Sequence, residues 1–180
     1  GGEANAMAVR IARAAAKNKN IAVCGYHGWH DWYLAANIES KKALNNHLMK
    51  GLNPIGVPSK LKSTIFPFEY NDFKKLKKLV EKNNIGIIKM EVARSFESPS
   101  FLRKIRKFCN QKNILLIFDE CTSGFRETFG GLHLKYKVNP DIAVYGKALG
   151  NGYAITSVVG KSEIMKKSSN SFISLSLIHI

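Results

Sequence analysis

Short apolar runs recur along the chain, and each is followed by glycine or an acidic residue. Runs of four to eight residues bounded in this way are typical of buried β-strands. We therefore predict strands at residues 21–25, 85–92, 114–118, 141–145 and 154–160. The run 114–118 (ILLIF) has no polar position, which indicates a strand that is covered on both faces.

Between these runs, apolar residues recur every three to four positions, which predicts amphipathic helices. Residues 3–17 are rich in alanine, the residue with the highest helix propensity. A second helix is predicted to follow Asn71, a favourable N-cap residue, and a third covers residues 98–113. Residues 26–60 lack a clear period and are predicted to be a loop. The apolar faces of the second and third helices consist of Phe73, Leu76, Leu79 and Val80, and of Leu102, Ile105, Phe108 and Cys109.

Strands that alternate with helices indicate an α/β fold with a largely parallel sheet. A length of 180 residues suits one domain with a sizeable core.

The formal net charge is +15, from 28 lysines and arginines against 13 aspartates and glutamates. The densest basic segments, 74–78 (KKLKK) and 103–107 (RKIRK), carry apolar residues at helical spacing. We therefore interpret them as solvent-exposed helix faces. A surface that binds nucleic acid or another anion is the alternative interpretation.

Neither a metal site nor a membrane segment is indicated. Cys24, Cys109 and Cys121 form no CxxC unit, which fits a reducing cytoplasm and no disulfide framework. His27 and His30 lack the cysteine or carboxylate cluster that would complete a metal site, so we interpret them as structural. No apolar run approaches the length of a membrane span.

Candidate reactive residues follow several of the predicted strands. Because ligands of parallel sheets bind beyond the carboxyl ends of the strands, we expect Tyr26, Glu91, Asp119 and Lys147 along one edge. The pair 1–2 (GG) precedes the first helix, and bare backbone at a helix N-terminus suits a phosphate. Each residue alone also has an ordinary structural explanation, as a turn, a core aromatic, a cap or a solvated cation. Their combination is more specific.

That combination, in this order, resembles the class III aminotransferases, fold type I enzymes that use pyridoxal 5′-phosphate (PLP). Within the family the chain is most similar to the glutamate-1-semialdehyde 2,1-aminomutases and their sugar-pathway relatives. The resemblance implies a three-layer sandwich around a mostly parallel sheet, the large domain of fold type I. The matching segments lie between Gly1 and Ser174 and are GGEANAMAVRIARA, GYHGWHDW, IFDECTSGFR, GGLHLKYKVNPDIAVYGKALGNG and SFIS.

The resemblance implies two catalytic residues. Lys147 is similar to the lysine that forms a Schiff base with the cofactor aldehyde and moves protons. Asp119 is similar to the aspartate that keeps the pyridine nitrogen protonated, so that the ring can accept electrons. Low dielectric would strengthen the attraction of Asp119 for the ring, and desolvation with a cationic neighbour would lower the pKa of the lysine.

Other cofactor contacts are implied in the same way. Tyr26 is similar to the aromatic residue that stacks on the ring, with His27 beside it. Gly1 and Gly2 resemble part of the phosphate loop, and Glu91 resembles a glutamate near the cofactor hydroxyl.

Two positions depart from the family pattern. Cys121 stands where a valine usually packs on the cofactor, and we expect the small apolar thiol to be tolerated there. Val92 replaces the usual proline, which is expected to move Glu91 slightly.

We expect residues 1–174 to be part of the PLP-binding domain, without the N-terminal segment and the small C-terminal domain. Residues 175–180 (LSLIHI) match the translation of a transposon end used in sequencing libraries, so we expect a non-native tail. The family completes its phosphate site across a dimer, which implies a homodimer and an inactive fragment.

We therefore predict a cytoplasmic PLP-dependent enzyme that moves an amino group on a small amino or keto substrate. It would act by transamination or as an aminomutase, and would bind neither nucleic acid nor membrane. Segments 26–32 (YHGWHDW) and 90–95 (MEVARS) favour the sugar-pathway aminotransferases. The alternatives are a basic non-catalytic α/β module that binds an anion, which leaves Asp119 and Lys147 unexplained, and an unfolded truncated product.

Overall fold

A computed structural model describes residues 1–47, 50–93, 97–171 and 173. The strands in these ranges are β1 (Asn20–Cys24), β2 (Ile65–Pro67), β3 (Ile85–Glu91), β4 (Leu115–Asp119), β5 (Ile142–Tyr145) and β6 (Ser157–Gly160). They form one sheet in the order β2-β1-β3-β4-β5-β6. All neighbours pair in parallel except β5 and β6, which are antiparallel. The predicted α/β fold with a mostly parallel sheet is confirmed.

Helices cover both faces of this sheet. They are α1 (Gly2–Ala15), α2 (Asp31–Leu34), α3 (Phe73–Asn83), α4 (Pro99–Lys112), α5 (Leu132–Lys135) and α6 (Ser162–Met165). Short 3-10 helices lie at Ala35–Asn37, Ser59–Leu61, Lys147–Leu149 and Lys166–Ser168. With α1 on one face and α3 and α4 on the other, the chain forms a three-layer sandwich. In the described part of the chain, no helix combines the length and apolarity needed to cross a membrane.

The alanines of α1 allow this helix to lie close to the sheet. Ala4, Ala8 and Ala12 are spaced four residues apart and are at most 2% exposed. Residues at this spacing share one helix face, and methyl side chains fill it without holding the backbones apart. They pack with the sheet residues that point to this side, Ile21, Val23, Ile87, Ile117, Ile142 and Val144.

The opposite face is covered by the two lysine-rich helices. Leu76 and Ile105 are fully buried at the centres of segments 74–78 and 103–107, whereas the lysines of both segments are exposed. The interpretation of these segments as solvent-exposed helix faces is therefore confirmed.

The predicted N-cap of α3 is wrong by one residue. The cap is Asp72, whose carboxylate accepts a hydrogen bond from the backbone N–H of Lys75 at 2.8 Å. Asn71 lies one residue earlier with φ of 66°, a left-handed conformation that asparagine tolerates. Aspartate and asparagine are equally good N-caps, so local sequence does not separate two adjacent candidates.

Short elements account for the other differences. The edge strand β2 has three residues and ends in proline, which is too short for a periodic signal. The predicted loop 26–60 contains α2 and the 3-10 helix Ala35–Asn37, and the 3-10 helix Ser59–Leu61 begins at its end. Residues 154–156 precede β6 rather than belonging to it.

Candidate active site

A cavity of about 170 Å³ opens at the carboxyl edge of the sheet, beside the N-terminus of α1. The residues that meet there come from the N-terminal end of α1 and from the carboxyl ends of β1, β3, β4 and β5 or the segments directly after them. These four strands are consecutive neighbours in the sheet. Asn5, Gly28, Trp29 and Thr122 also line the cavity and were not predicted. All eight residues predicted for the site line it, namely Gly1, Gly2, Tyr26, His27, Glu91, Asp119, Cys121 and Lys147.

Asp119 is the last residue of β4 and is 3% exposed. Its Oδ2 lies 2.8 Å from Nδ1 of His27, and its Oδ1 accepts a hydrogen bond from the backbone N–H of Cys121 at 3.0 Å. Burial alone would raise the pKa of Asp119, but the charge of Lys89 and the hydrogen bond from His27 outweigh it and hold that pKa well below its usual value. Asp119 is therefore a buried anion at neutral pH.

His27 orients this carboxylate. The imidazole is fully buried, with ring centroids 6.3 Å from Trp32 and 5.5 Å from Tyr33. Burial lowers the pKa of His27, and the hydrogen bond with Asp119 offsets that effect only in part. Because an ionised carboxylate can only accept, the neutral ring donates its Nδ1–H to Asp119. The hydrogen bond gives His27 a specific structural role, because it fixes the orientation of the Asp119 carboxylate.

The loop after β1 places Tyr26 on the cavity wall. Gly25 has φ of 106°, and a side chain on it would collide with the carboxylate of Glu91. That carboxylate accepts a hydrogen bond from the backbone N–H of Tyr26 at 3.1 Å, and the hydroxyl of Tyr33 donates to the carbonyl of Gly25 at 2.7 Å. The half-buried ring of Tyr26 meets the ring of Tyr33 edge-on at 6.0 Å. Hydrogen bonds therefore fix the backbone of the first two residues of the loop, Gly25 and Tyr26.

The N-terminus of α1 offers a binding place for an anion. The N–H of Asn5 makes the first helical hydrogen bond, to the carbonyl of Gly1 at 3.0 Å. The N–H groups of residues 2–4 precede it and have no partner within the helix. The backbone of Gly28 lies against this helix end, since an added Cβ on Gly28 would be 3.1 Å from Cα of Gly2. Gly28 has φ of 100°. Bare N–H groups and the helix dipole together favour a phosphate.

Lys147 reaches the cavity from β5, across Gly146. It begins the 3-10 helix Lys147–Leu149 with φ of 47°, a left-handed conformation that is uncommon outside glycine and recurs at functional sites. The side chain is exposed, and its Nζ donates a hydrogen bond to the hydroxyl of Thr122 at 2.9 Å. A primary amine therefore shares the cavity with the buried anion Asp119.

Sequence reasoning missed a buried network behind the site. Glu120 is fully buried, and its Oε1 accepts hydrogen bonds from the backbone N–H of His133 at 2.9 Å and from its Nδ1 at 2.7 Å. The other carboxylate oxygen accepts from the hydroxyl of Ser123. The network ties the segment after β4 to α5. The visible signal was the pair Asp119-Glu120 at a strand end, where successive side chains point to opposite faces.

Lys89 is the second residue that was missed. It lies within β3, is fully buried, and its Nζ has no hydrogen-bond partner among the residues that the structure describes. Burial lowers the pKa of Lys89, whereas the negative charges of Asp119 and Glu91 raise it. The signal was a single lysine inside the otherwise apolar run 85–90.

A larger groove of about 500 Å³ lies between α3 and α4, on the face of the sheet opposite α1. Its charged groups, such as Lys77, Lys104 and Glu81, are solvated side chains of helix surfaces, so we assign the site to the smaller cavity. Within the described ranges, no three histidine, cysteine, aspartate or glutamate side chains are grouped to hold a metal ion.

Comparisons with known proteins give the family of this chain. A family model described as aminotransferase class-III matches residues 1–172. A 3-aminobutyryl-CoA aminotransferase from Cloacimonas acidaminovorans is 38% identical over 175 residues, which cover 92% of this chain and 38% of that protein. A glutamate-1-semialdehyde 2,1-aminomutase from Nitrosopumilus maritimus is 36% identical, over 92% and 40% of the two chains. The crystal structure of an omega-transaminase from Sphaerobacter thermophilus is 27% identical, with a TM-score of 0.74 over 92% of this chain and 40% of that one.

The chain belongs to the class III aminotransferase family. It spans about 40% of the length of the curated relatives it matches. The predicted family, with its fold type I architecture and PLP as its cofactor, is confirmed, and the alternative of a basic non-catalytic module is not supported. The roles of individual residues and the domain boundaries stay predictions, and the predicted tail 175–180 lies outside the described residues.

Proposed function

We propose that the protein containing this chain is a PLP-dependent enzyme that transfers amino groups. Lys147 would bind the cofactor covalently and move a proton, and Asp119 would pair with the ring nitrogen. One observation carries the proposal: a buried carboxylate, a lysine amine, an aromatic ring and a helix N-terminus line a single cavity.

The cavity suits each part of PLP. The N-terminus of α1, closed by Gly28, offers bare N–H groups to a phosphate. The buried anion Asp119 suits a protonated ring nitrogen, and the ring of Tyr26 suits stacking. The amine of Lys147 suits an aldehyde. When bound, PLP supplies a ring that accepts electrons from the substrate carbon that loses a proton.

The residues of the chain then hold and move protons. Asp119 keeps the proton on the ring nitrogen, because His27 fixes its orientation and burial leaves its attraction for a cation little screened. Lys147 accepts a proton from the substrate carbon and returns one, as its long flexible side chain at the exposed side of the cavity allows. The hydroxyl of Thr122 orients its Nζ beforehand.

We further propose a small amine and a keto compound as substrates. The two curated relatives are named as an aminotransferase and an aminomutase, which supports both transfer between substrates and transfer within one. The segments 26–32 and 90–95 favour transfer between an amino donor and a keto-sugar. We also propose a cytoplasmic homodimer; the exposed aromatic side chains of Trp29 (68%), which lines the cavity, and Tyr153 (81%) support a partner surface.

The test uses protein expressed from its complete gene and loaded with PLP. An amino donor alone is expected to bleach the visible absorbance, and a keto acid added afterwards is expected to restore it. Turnover of a single substrate without a second one would instead indicate the aminomutase reaction. Absorbance that no member of a panel of amino acids, amino sugars and amines changes would contradict amino transfer, and failure to bind PLP would contradict the cofactor assignment.

A further inference from the structure

Lys89 is an ionisable residue at the centre of the sheet. In register it pairs with Val23 of β1 and with Ile117 of β4, so a strand lies on either side of it. Its side chain shares a face with those of Ile87 and Glu91, two residues away on the same strand. Ile87 packs in the cluster beneath α1, so Lys89 projects into the layer that ends at the cavity.

Nζ of Lys89 donates no hydrogen bond to any of the described protein atoms. Burying such a group is costly unless nearby charges compensate it. Two carboxylates are close enough to do so, those of Asp119 and Glu91. Nε2 of His27, on the side of the ring away from Asp119, likewise has no described partner.

The two carboxylates lie side by side. Glu91 and Asp119 are register partners at the ends of β3 and β4, 5% and 3% exposed, on strands about 4.8 Å apart. The other titratable groups facing Lys89 are neutral: burial raises the pKa of the Cys121 thiol to about 12, and His27 carries no proton on Nε2. Asn5, which lines the cavity from α1, is uncharged. Among these groups, Lys89 is therefore the source of positive charge beside the buried carboxylate of Asp119.

We propose that Lys89 is a positioning residue of the cofactor site, whose buried ammonium keeps the negative charge on Asp119 and prevents the Asp119–His27 pair from taking up a proton. The stabilisation of a protonated ring nitrogen by Asp119 rests on the proposed function. The effect of Lys89 on proton uptake by the Asp119–His27 pair does not. The competing explanation is that Lys89 is an uncharged filler of the core, of use only for its methylene groups.

The test compares Lys89→Met and Lys89→Gln with the wild type, in protein expressed from its complete gene. Ile87→Met is the matched control, since it alters packing on the same strand and face without removing a charge. The titration of His27 is followed by NMR of labelled histidine in cofactor-free protein, with the resonance assigned from His27→Gln. Both Lys89 variants are expected to raise the His27 midpoint by about one pH unit or more, and the control is expected to leave it unchanged. With PLP bound, the pH midpoint of its visible absorbance should also rise.

An unchanged His27 midpoint in a folded Lys89 variant would overturn the proposal. So would a wild-type midpoint above the ordinary value of 6.5, a result that can be obtained even where the variants do not fold. A shift in protein that never binds PLP would support the role of Lys89 and contradict the proposed function. Binding of PLP to protein whose His27 midpoint does not shift on substitution of Lys89 would support the proposed function and contradict the role of Lys89.

Discussion

His27 and Asp119 are joined by a hydrogen bond of 2.8 Å between side chains that are 0% and 3% exposed. They lie 92 positions apart in sequence and meet because β3 is the single strand between β1 and β4. The bond gives a buried carboxylate one orientation, toward the cavity that also holds Lys147. The proposed chemistry depends on this anion.

Replacing Asp119 by asparagine keeps the shape of the side chain and removes its charge. A neutral amide cannot hold a proton on the ring nitrogen, so we expect the rate of amino transfer to fall by about 100-fold or more. Covalent capture of PLP by Lys147 should persist. Steady-state kinetics and visible spectra of Asp119→Asn measure both effects.

Asp72→Asn is the control for that substitution, because Asp72 caps α3 and an asparagine serves equally well there. Its activity should match the wild type. Full activity in Asp119→Asn would remove Asp119 from the mechanism.

Acid is expected to destabilise the protein through His27. Burial lowers the pKa of His27, so between about pH 7 and 5 the unfolded chain binds a proton that the folded protein refuses. The free energy of unfolding then falls as the pH is lowered, by at most about 1.4 kcal/mol per pH unit for one proton. Urea unfolding at several pH values should show a shallower slope for His27→Gln than for the wild type; identical slopes would refute the assignment.

The depressed pKa of Asp119 has an effect at lower pH. Its contribution to stability is present above the ordinary value of 3.8 and is lost as the pH falls below it. Asp119→Asn should lack this second loss.

The backbone of Gly28 is expected to be needed for phosphate binding. Gly28→Ala places a Cβ 3.1 Å from Cα of Gly2 and should displace the N-terminus of α1, weakening PLP binding by about tenfold or more. Gly56→Ala is the matched control, with φ of 88° and no atom within 4 Å of its added Cβ. Both substitutions should cost about 1–2 kcal/mol of stability. Equal PLP affinity in the two variants, measured by titration, would argue against a phosphate at this helix end.

Local sequence predicted the site because its reactive residues come directly after apolar runs that form strands. Asp119 follows the run 114–118, and Lys147 follows the run 141–145 across one glycine. Carboxyl ends of parallel strands share an edge, so their proximity follows from the fold class.

What could not be predicted depends on the order and coverage of the strands. The bond between His27 and Asp119 requires β1 and β4 to flank the same strand, which no local pattern gives. Lys89 has the sequence signature of a strand residue that faces water, and its burial follows from α1 covering that face. The contact of Glu120 with His133 joins a strand end to a short helix and has no periodic signal.

The most direct test of the account concerns Lys147. Protein expressed from its complete gene is loaded with PLP, reduced with borohydride, digested and mapped by mass spectrometry. Lys137→Ala is the matched control, because Lys137 is also exposed and has φ of 55°, close to the 47° of Lys147. We predict a reduced cofactor adduct on Lys147 in the wild type and in Lys137→Ala, and a colourless protein without the adduct in Lys147→Ala. A folded wild-type protein with no adduct on Lys147, or a Lys147→Ala variant with unchanged colour and activity, would contradict the account.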